Sequence, residues 1–304
     1  MRVDSLQISH SSRAMFASCP RKLEFRKFYN HSRREESSAT LTGSALHKAY
    51  QDFLVHKDRE RAIFILMMEM PTAYDERPLQ PRSIEACYST LLAMMDFQQY
   101  NKFEVAVIDG KPAIEVPFRL RIANFSLEDD RHVPVEYIGY IDVVLFDPKH
   151  ERFISTDIKT TTRGLSDFTP AYKFDDQQLP YAFVIESALG QPVDQLDVQY
   201  MNCVISLDNP QITNLPFVKS RADIEDWARG LALDLQMLKL YYNNNWFPRR
   251  VSGCTAYNRT CNAFDFCHSR DSAMIEHMLS FETAQEQRQF DPWIDIELTL
   301  ETGK

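Results

Sequence analysis

Asp142, Asp157 and Lys159 are the residues of this 304-residue chain whose types and spacing offer the clearest chemistry. They lie in two apolar runs. One reads Gly139-Tyr140-Ile141-Asp142 and continues into Val143-Val144-Leu145; the other reads Phe153-Ile154 and continues to Thr156-Asp157-Ile158-Lys159. Between them stands Asp147-Pro148-Lys149-His150, which is strong turn chemistry. If the turn centres between Lys149 and His150, facing residues have numbers that sum to 299, and Asp142 faces Asp157. Directly opposed residues on an antiparallel ladder have Cβ atoms about 4.5–5.5 Å apart. Two carboxylates so placed repel, and a divalent cation reverses the sign by making both oxygens ligands of a hard metal. Lys159, two residues beyond Asp157, shares its face of the strand. An ammonium there can orient or help deprotonate a water and stabilise charge on a phosphate. A surface salt-bridge cluster at a strand end accounts for the same residue types. The apolar flanks count against it, because an unmetallated acid pair at the rim of a buried sheet is costly.

The elements that must position these residues follow from periodicity. Ser11 and Ser12 can cap a helix from about Arg13 towards Tyr29, His31 to Thr40 reads as a loop, and Gly43 opens a second helical pattern through Leu46, His47, Tyr50 and Leu54. A third helix is expected over Ile84 to Tyr100. Residues 113–122 alternate, with Glu115, Arg119 and Arg121 on the polar face. The hairpin strands are Val135 to Phe146 and Arg152 to Lys159. A helix from about Asp176 to Leu189, stopped by Gly190, a strand from Leu196 to Ile205 and a long amphipathic helix from Ala222 to Tyr242 complete the pattern. The order is that of a mixed α/β arrangement around one sheet.

Six cysteines are present, and Cys254, Cys261 and Cys267 fall within fourteen residues. Three soft ligands suit zinc or an iron–sulfur cluster, either of which normally takes a fourth. Cys19, followed by Pro20-Arg21-Lys22, is the candidate. A short Cys-x2–4-Cys zinc knuckle is missing from the sequence. Cys87 and Cys203 sit in apolar runs and read as ordinary buried thiols.

Gly-x-Ile-Asp followed by Asp-x-Lys resembles the active-site signature of PD-(D/E)XK nucleases in their RecB-type branch. Gly43-Ser44-Ala45-Leu46-His47 is similar to the upstream Gly-x-x-x-His element, and Gln177 to Tyr181 to the Gln-x-x-x-Tyr element, with Gln178 an alternative for the glutamine. Glu115 matches a weaker acidic position behind the metal ligands. The resemblance implies a restriction-endonuclease-like mixed central sheet flanked by helices. It implies Mg²⁺ or Mn²⁺ on His47, Asp142, Asp157 and the carbonyl of Ile158, with Lys159 assisting hydrolysis and Gln177 and Tyr181 holding the DNA strand. A lone helical histidine is more often structural, and only its place in this series makes His47 a ligand candidate. A subset of RecB-type nucleases, including AddB nuclease domains and nucleases of CRISPR adaptation, carries a cysteine in an N-terminal Cys-Pro-x-Lys-like context. Three more follow the nuclease core, and the four hold a [4Fe–4S] cluster. Cys19, Cys254, Cys261 and Cys267 match that layout; their looser spacing leaves zinc open. The implied organisation is one nuclease domain over 1–304. Its core covers about 41–242, an iron–sulfur subdomain takes about 8–30 plus 243–270 and joins the chain's N- and C-terminal segments, and 271–304 forms a mobile tail.

Bulk properties are compatible with this. Hydrophobic residues make up 44% and charged residues 25%, ordinary for a soluble globular protein. No secretory signal or membrane-length apolar run is visible, so a cytoplasmic protein is expected. The net charge of −9 speaks mildly against nucleic acid, but binding depends on where the charge sits. Eight Arg or Lys against Asp4 and Glu24 in the first 34 residues make a basic patch, with Arg13, Arg21 and Lys22 as candidate phosphate contacts. A solvated helix face explains the same charges. By family analogy the expected activity is exonucleolytic, on single-stranded DNA or duplex ends, in recombination, repair or phage replication. A DNA-binding module that does not cut, or a subunit active only with a helicase or integrase partner, are the alternatives.

Overall fold

Strong turn residues between two apolar runs make a hairpin, and that hairpin lies at the centre of the sheet. A computed structural model of the chain describes residues 5–28, 38–73, 82–100, 102–127, 132–163, 169–190, 192–256, 259–261, 263–267, 272–279 and 290–300. The main sheet has eight strands: β1 (Leu6–Ile8), β2 (Glu104–Val105), β3 (Ile114–Ala123), β4 (Val135–Asp147), β5 (Arg152–Thr161), β6 (Gln195–Val204), β7 (Gln211–Ser220) and β8 (Ile294–Thr299). Their order is β8-β3-β4-β5-β6-β7, with β1 and β2 also pairing to β4. The helices are α1 (His10–Ser18), α2 (Pro20–Phe28), α3 (Ser38–His56), α4 (Arg59–Ala73), α5 (Ile84–Tyr100), α6 (Thr169–Phe174), α7 (Tyr181–Leu189), α8 (Arg221–Asn243), α9 (Phe264–Cys267) and α10 (Ser272–Leu279). Among the described residues, no helix is long and apolar enough to cross a membrane.

Contacts divide the chain into two compact units, one of residues 35–116 and 140–224, the other of 1–34, 117–139 and 225–304. In the first, the β4–β5 ladder runs from Val143 opposite Thr156 to Asp147 opposite Arg152. These pairs sum to 299, the register the turn predicts. Asp147 makes the turn: its Oδ1 accepts from the Lys149 N–H at 3.1 Å, and its Oδ2 lies 2.7 Å from His150 Nδ1. β5 then pairs in parallel with β6 and is buried from Ile154 to Ile158, as expected of a strand covered on both faces. Leu46, Tyr50, Leu66, Leu91 and Met94 of α3, α4 and α5 pack in one apolar core with Val143, Leu145, Ile154, Ile158 and Met201.

In the second unit, β8 pairs in parallel with β3, from Ile294 opposite Phe118 to Thr299 opposite Ala123. Arg119 fastens it, with Nη2 2.6 Å from Asp295 Oδ2 and Nη1 3.3 Å from Glu136 Oε1. The Phe118 and Tyr137 rings stack at 6.4 Å, and Trp227 of α8 meets Tyr137 edge-on at 5.2 Å.

Several expectations change. The single helix over 13–29 is two helices, because Pro20 disfavours helical geometry at the residue before it; Cys19 is extended at φ −163° and ψ 105°. The first of these is capped by Ser9, whose side chain accepts from the Ser12 N–H, rather than by Ser11 or Ser12. The helix expected from Asp176 starts at Tyr181, after Pro180. Helix α4 and strand β7 were not anticipated. The segment 271–304, expected as a mobile tail, supplies α10 and β8. The loop expected over 31–40 falls at 31–37 outside the described residues, and its end belongs to α3.

Gly139, the glycine of Gly-x-Ile-Asp, is explained by packing: an added Cβ would lie 2.7 Å from two ring atoms of Phe118. Gly139→Ala should therefore destabilise the protein by about 1–3 kcal/mol through overpacking, and Phe118→Leu in the same chain should recover part of that loss. Denaturant unfolding of the two variants measures both effects. An alanine variant as stable as the wild type would remove this account of the glycine.

Candidate active site and cysteine pocket

The site is built within the first unit, where α3 lies against the end of β5 and beside Asp142 of β4. Gly43 lets the helix approach closely, since a Cβ there would lie 2.9 Å from Thr160 Oγ1. One turn later His47 Nδ1 stands 3.9 Å from Asp142 Oδ2. The regular ladder stops one pair short of Asp142 and Asp157, and Asp142 Oδ2 instead accepts from the Ile158 N–H at 2.8 Å. Asp157, Lys159 and Gln177 close a ring of contacts. Lys159 Nζ lies 2.6 Å from Asp157 Oδ2 and donates to Gln177 Oε1 at 2.9 Å, while Gln177 Nε2 donates to Asp157 Oδ1 at 3.0 Å. A glutamine amide is both donor and acceptor, which is why it can join a carboxylate to an ammonium.

Burial governs the electrostatics. It pushes Asp142 up to about 6, aided by the Glu115 charge and opposed by the Ile158 N–H and Lys159. It also pushes Asp157 up to about 6, with Lys159 opposing and Asp142 adding. Burial lowers His47 to about 4, so its imidazole is neutral near pH 7 and free to act as a ligand. Burial alone would lower Lys159 as well, but the Asp157 and Asp142 carboxylates carry it above the ordinary lysine value.

Glu115, expected behind the ligand candidates, stands beside His47 and Asp142. His47, Glu115 and Asp142 each offer one ligand atom, and the three atoms all lie within 4.8 Å of one another. Two carboxylates in such a group favour a hard divalent ion such as Mg²⁺ or Mn²⁺. The backbone explains the displacement: Glu115 has φ +47°, a left-handed break in an otherwise alternating strand, and Gln51 Nε2 donates to its Oε1 at 2.5 Å. Asp157 is outside that trio. The main chain of Ile158 hydrogen-bonds with His47, which brings the fourth expected ligand to the same place.

The Gln-x-x-x-Tyr element divides. Gln177 lies in a turn ahead of α7, so it and Tyr181 do not share a helix face. Tyr181 is buried and its hydroxyl donates to the Tyr140 carbonyl at 3.0 Å; it braces the strand that carries Asp142 and does not offer itself to DNA. Gln178 is fully buried, with Nε2 donating to the Gln199 carbonyl at 3.3 Å. It is core, which corrects its candidacy as a DNA contact. Of the remaining candidates, Arg13 pairs with Asp234 at 2.5 Å. Arg21 is buried against Glu24, 4.9 Å over the Phe25 ring. The Arg21 guanidinium is buried and offers no phosphate contact, and Arg13 is already paired, so these two charges of the basic patch are engaged within their own unit. Lys22 is half-buried and lines the cysteine pocket.

That pocket belongs to the second unit. Cys19, Cys254, Cys261 and Cys267 line it together with Phe25, Arg249, Gly253 and Phe264. A two-stranded ribbon, Thr255–Ala256 with Arg259–Thr260, brings Cys254 and Cys261 side by side, and the Cys261 N–H donates to the Cys254 carbonyl at 2.8 Å. Cys267 ends α9. Gly253 allows the ribbon to touch α1's end, since a Cβ would lie 2.6 Å from the Cys19 Cβ. Burial raises the Cys267 thiol, and the Cys19 and Cys254 sulfurs raise it further against Arg21 and Arg249. Among the described residues, no three of these sulfurs lie within 4.8 Å of one another. Cys87 and Cys203 are buried in the first unit's core, as expected.

A family model described as the PD-(D/E)XK nuclease superfamily matches residues 7–268. Among solved structures, one described as a "putative exonuclease" from Eubacterium rectale is similar with a TM-score of 0.50 at 12% identity, covering 86% of this chain and 93% of that one. The likeness is one of fold. A second, SSO0001, covers 72% of this chain and 84% of its own at 14% identity, with a TM-score of 0.24 that carries no weight. No curated protein matches at a significant level. The central mixed sheet flanked by helices is restriction-endonuclease-like, and with the match spanning nearly the whole chain, this protein belongs to the PD-(D/E)XK nuclease superfamily.

Proposed function

We infer that this nuclease is a metal-dependent deoxyribonuclease of the RecB-type branch, hydrolysing phosphodiester bonds from DNA ends in recombination, repair or phage DNA metabolism. The observation that carries the reading is the meeting of His47, Glu115 and Asp142 donor atoms within 4.8 Å, beside the ring of Asp157, Lys159 and Gln177. Mg²⁺ or Mn²⁺ would be held by His47, Glu115 and Asp142, with Asp157 and the Ile158 carbonyl adjacent. When bound, such an ion lowers the pKa of water and stabilises charge on phosphoryl oxygens. The chain's own residues do the rest. Lys159 keeps its proton and presents a fixed cation to the phosphate. Gln177 holds that ammonium and the Asp157 carboxylate in one orientation. Tyr181 braces the strand bearing Asp142. The end-directed character rests on the resemblance to the RecB-type branch.

The four cysteines are read as the ligands of a [4Fe–4S] cluster. The choice of the cluster over a single zinc, which takes four tetrahedral sulfurs at about 2.3 Å, rests on the resemblance to the RecB-type nucleases that carry one. Its role would be structural, tying Cys19 to the segment 254–267. Visible absorption near ~400 nm together with iron and sulfide, all lost in Cys261→Ala, is the expected result for anaerobically purified protein. Zinc without iron would overturn it.

End-labelled linear single- and double-stranded DNA, alongside a covalently closed circle, tests the activity in Mn²⁺ or in EDTA. Shortening of the linear substrates in Mn²⁺ alone is expected, with Lys159→Ala slower by roughly 10²–10³-fold. A circle cut as fast as linear DNA would refute end-dependence, and no cutting at all would favour the non-cutting or partner-dependent alternatives.

Charge burial makes a second prediction that needs no turnover. Asp142 titrates at about 6 in the folded protein against 3.8 ordinarily. The folded state therefore holds a proton over that interval which the unfolded chain releases, and the stabilisation by neutral Asp142 is lost as pH rises through about 6. At pH 8 without metal, Asp142→Asn should be more stable than wild type by roughly 1–2 kcal/mol, and should lose most of the rise in Tm that Mn²⁺ gives the wild type. Thermal melts at pH 5 and pH 8, with and without Mn²⁺, decide it.

A further inference from the structure

Lys219 has no part in the chemistry described above, yet it is among the most deeply placed cations of the first unit. It lies on β7, opposite Leu196 of β6, and only 5% of it is exposed. Its ammonium donates to two main-chain oxygens, those of Lys173 and Asp175, each at 2.8 Å. Both belong to the end of α6 and the turn that follows it, where helix carbonyls lose their intrahelical partners. A lysine side chain can satisfy such carbonyls, but burying an ammonium is costly and an apolar residue would fill the space without that cost.

What the clamp holds explains its use. Two residues beyond Asp175 stands Gln177, whose N–H donates to Asp175 Oδ1 at 2.9 Å. The side chain of Gln177 joins Asp157 to Lys159, at 3.0 and 2.9 Å. Gln177 is in a turn, not a helix, because regular structure begins again only at Tyr181. The turn has main-chain hydrogen bonds of its own, Leu179 N–H to the Asp176 carbonyl at 3.2 Å and Tyr181 N–H to the Gln178 carbonyl at 3.1 Å, but neither ties the segment before Gln177 to the sheet. Clamped at 173 and 175, the turn gains an anchor in the sheet.

We propose that Lys219 is a positioning residue for the nuclease reaction: by gripping the carbonyls of Lys173 and Asp175 it fixes the turn from which Gln177 holds Asp157 and Lys159. This rests on the nuclease reading for its catalytic consequence, but the clamp itself can be tested without catalysis. Lys219→Met keeps the bulk and removes the donors. In hydrogen–deuterium exchange of the metal-free protein, the amides of residues 173–181 should exchange faster in Lys219→Met, while α3 and α5 are unaffected. Lys219→Arg, which retains donors, should restore much of the protection. In DNA hydrolysis, Lys219→Met should lower kcat by roughly 10–100-fold, as expected when a catalytic group is displaced by about an ångström, with KM nearly unchanged. Because the effect passes through Gln177, adding Lys219→Met to Gln177→Ala should cost little further activity, a non-additivity that general loss of stability would not produce. Unchanged exchange over 173–181, or fully additive losses in the double variant, would overturn the proposal. A wild type that cuts no DNA would remove the nuclease reading, while the exchange experiment would still decide whether Lys219 holds the turn.

Discussion

Withdrawing a carboxylate from water disfavours its charged form, and in this chain Asp142 and Asp157 are withdrawn together, both raised to about 6. Near neutral pH the folded protein must carry these charges against that preference. The surroundings supply partial relief in different currencies. Asp142 takes the Ile158 N–H, and Asp157 takes Lys159 and Gln177. Glu115 adds a third acid to the neighbourhood rather than a counter-charge. Such a group is unfavourable as a structural ion-pair network and well suited to a hard cation. The close approach of α3 at Gly43, the break in β3 at Glu115 and the brace from Tyr181 to the Tyr140 carbonyl all bring donors to this one region.

The hairpin was legible because its information is local. Asp147-Pro148-Lys149-His150 sets the turn, alternation sets the faces, and a register once fixed determines every opposed pair. Helices α3, α5 and α8 were legible for the same reason, as sustained periodicities. The misses share the opposite character. Strand β7 contains Pro216 and Asn214, which weaken a strand pattern, but it is an edge strand, where proline is tolerated. Strand β8 depends on β3, more than a hundred residues earlier in the chain, for its pairing.

Within the site, residue types and spacing pointed to Asp142, Asp157 and Lys159, the family resemblance added His47, and the structure brings the four together. Types and spacing could not assign Glu115, because a strand's alternation gives no sign of a single left-handed residue. Spacing from Tyr181 favoured Gln177, with Gln178 kept as an alternative. The start of α7 separates them: one faces the acids, and the other enters the core. The basic N-terminal segment shows the limit of charge counts, since Arg13 and Arg21 each meet an acid inside their own unit.

The two units differ in when they can be finished. The unit with the acids ends at residue 224, while the other draws on 1–34, 117–139 and 225–304. A chain emerging from the ribosome in order thus has everything the acid-bearing unit needs while the other still lacks α8, three of its four pocket cysteines and the strand that Arg119 grips. Cys19, and the edge of β3 that β8 covers, must wait for partners made last. Domains that complete early generally fold early, so a chaperone would meet this chain with half of it formed and its first cysteine unattended.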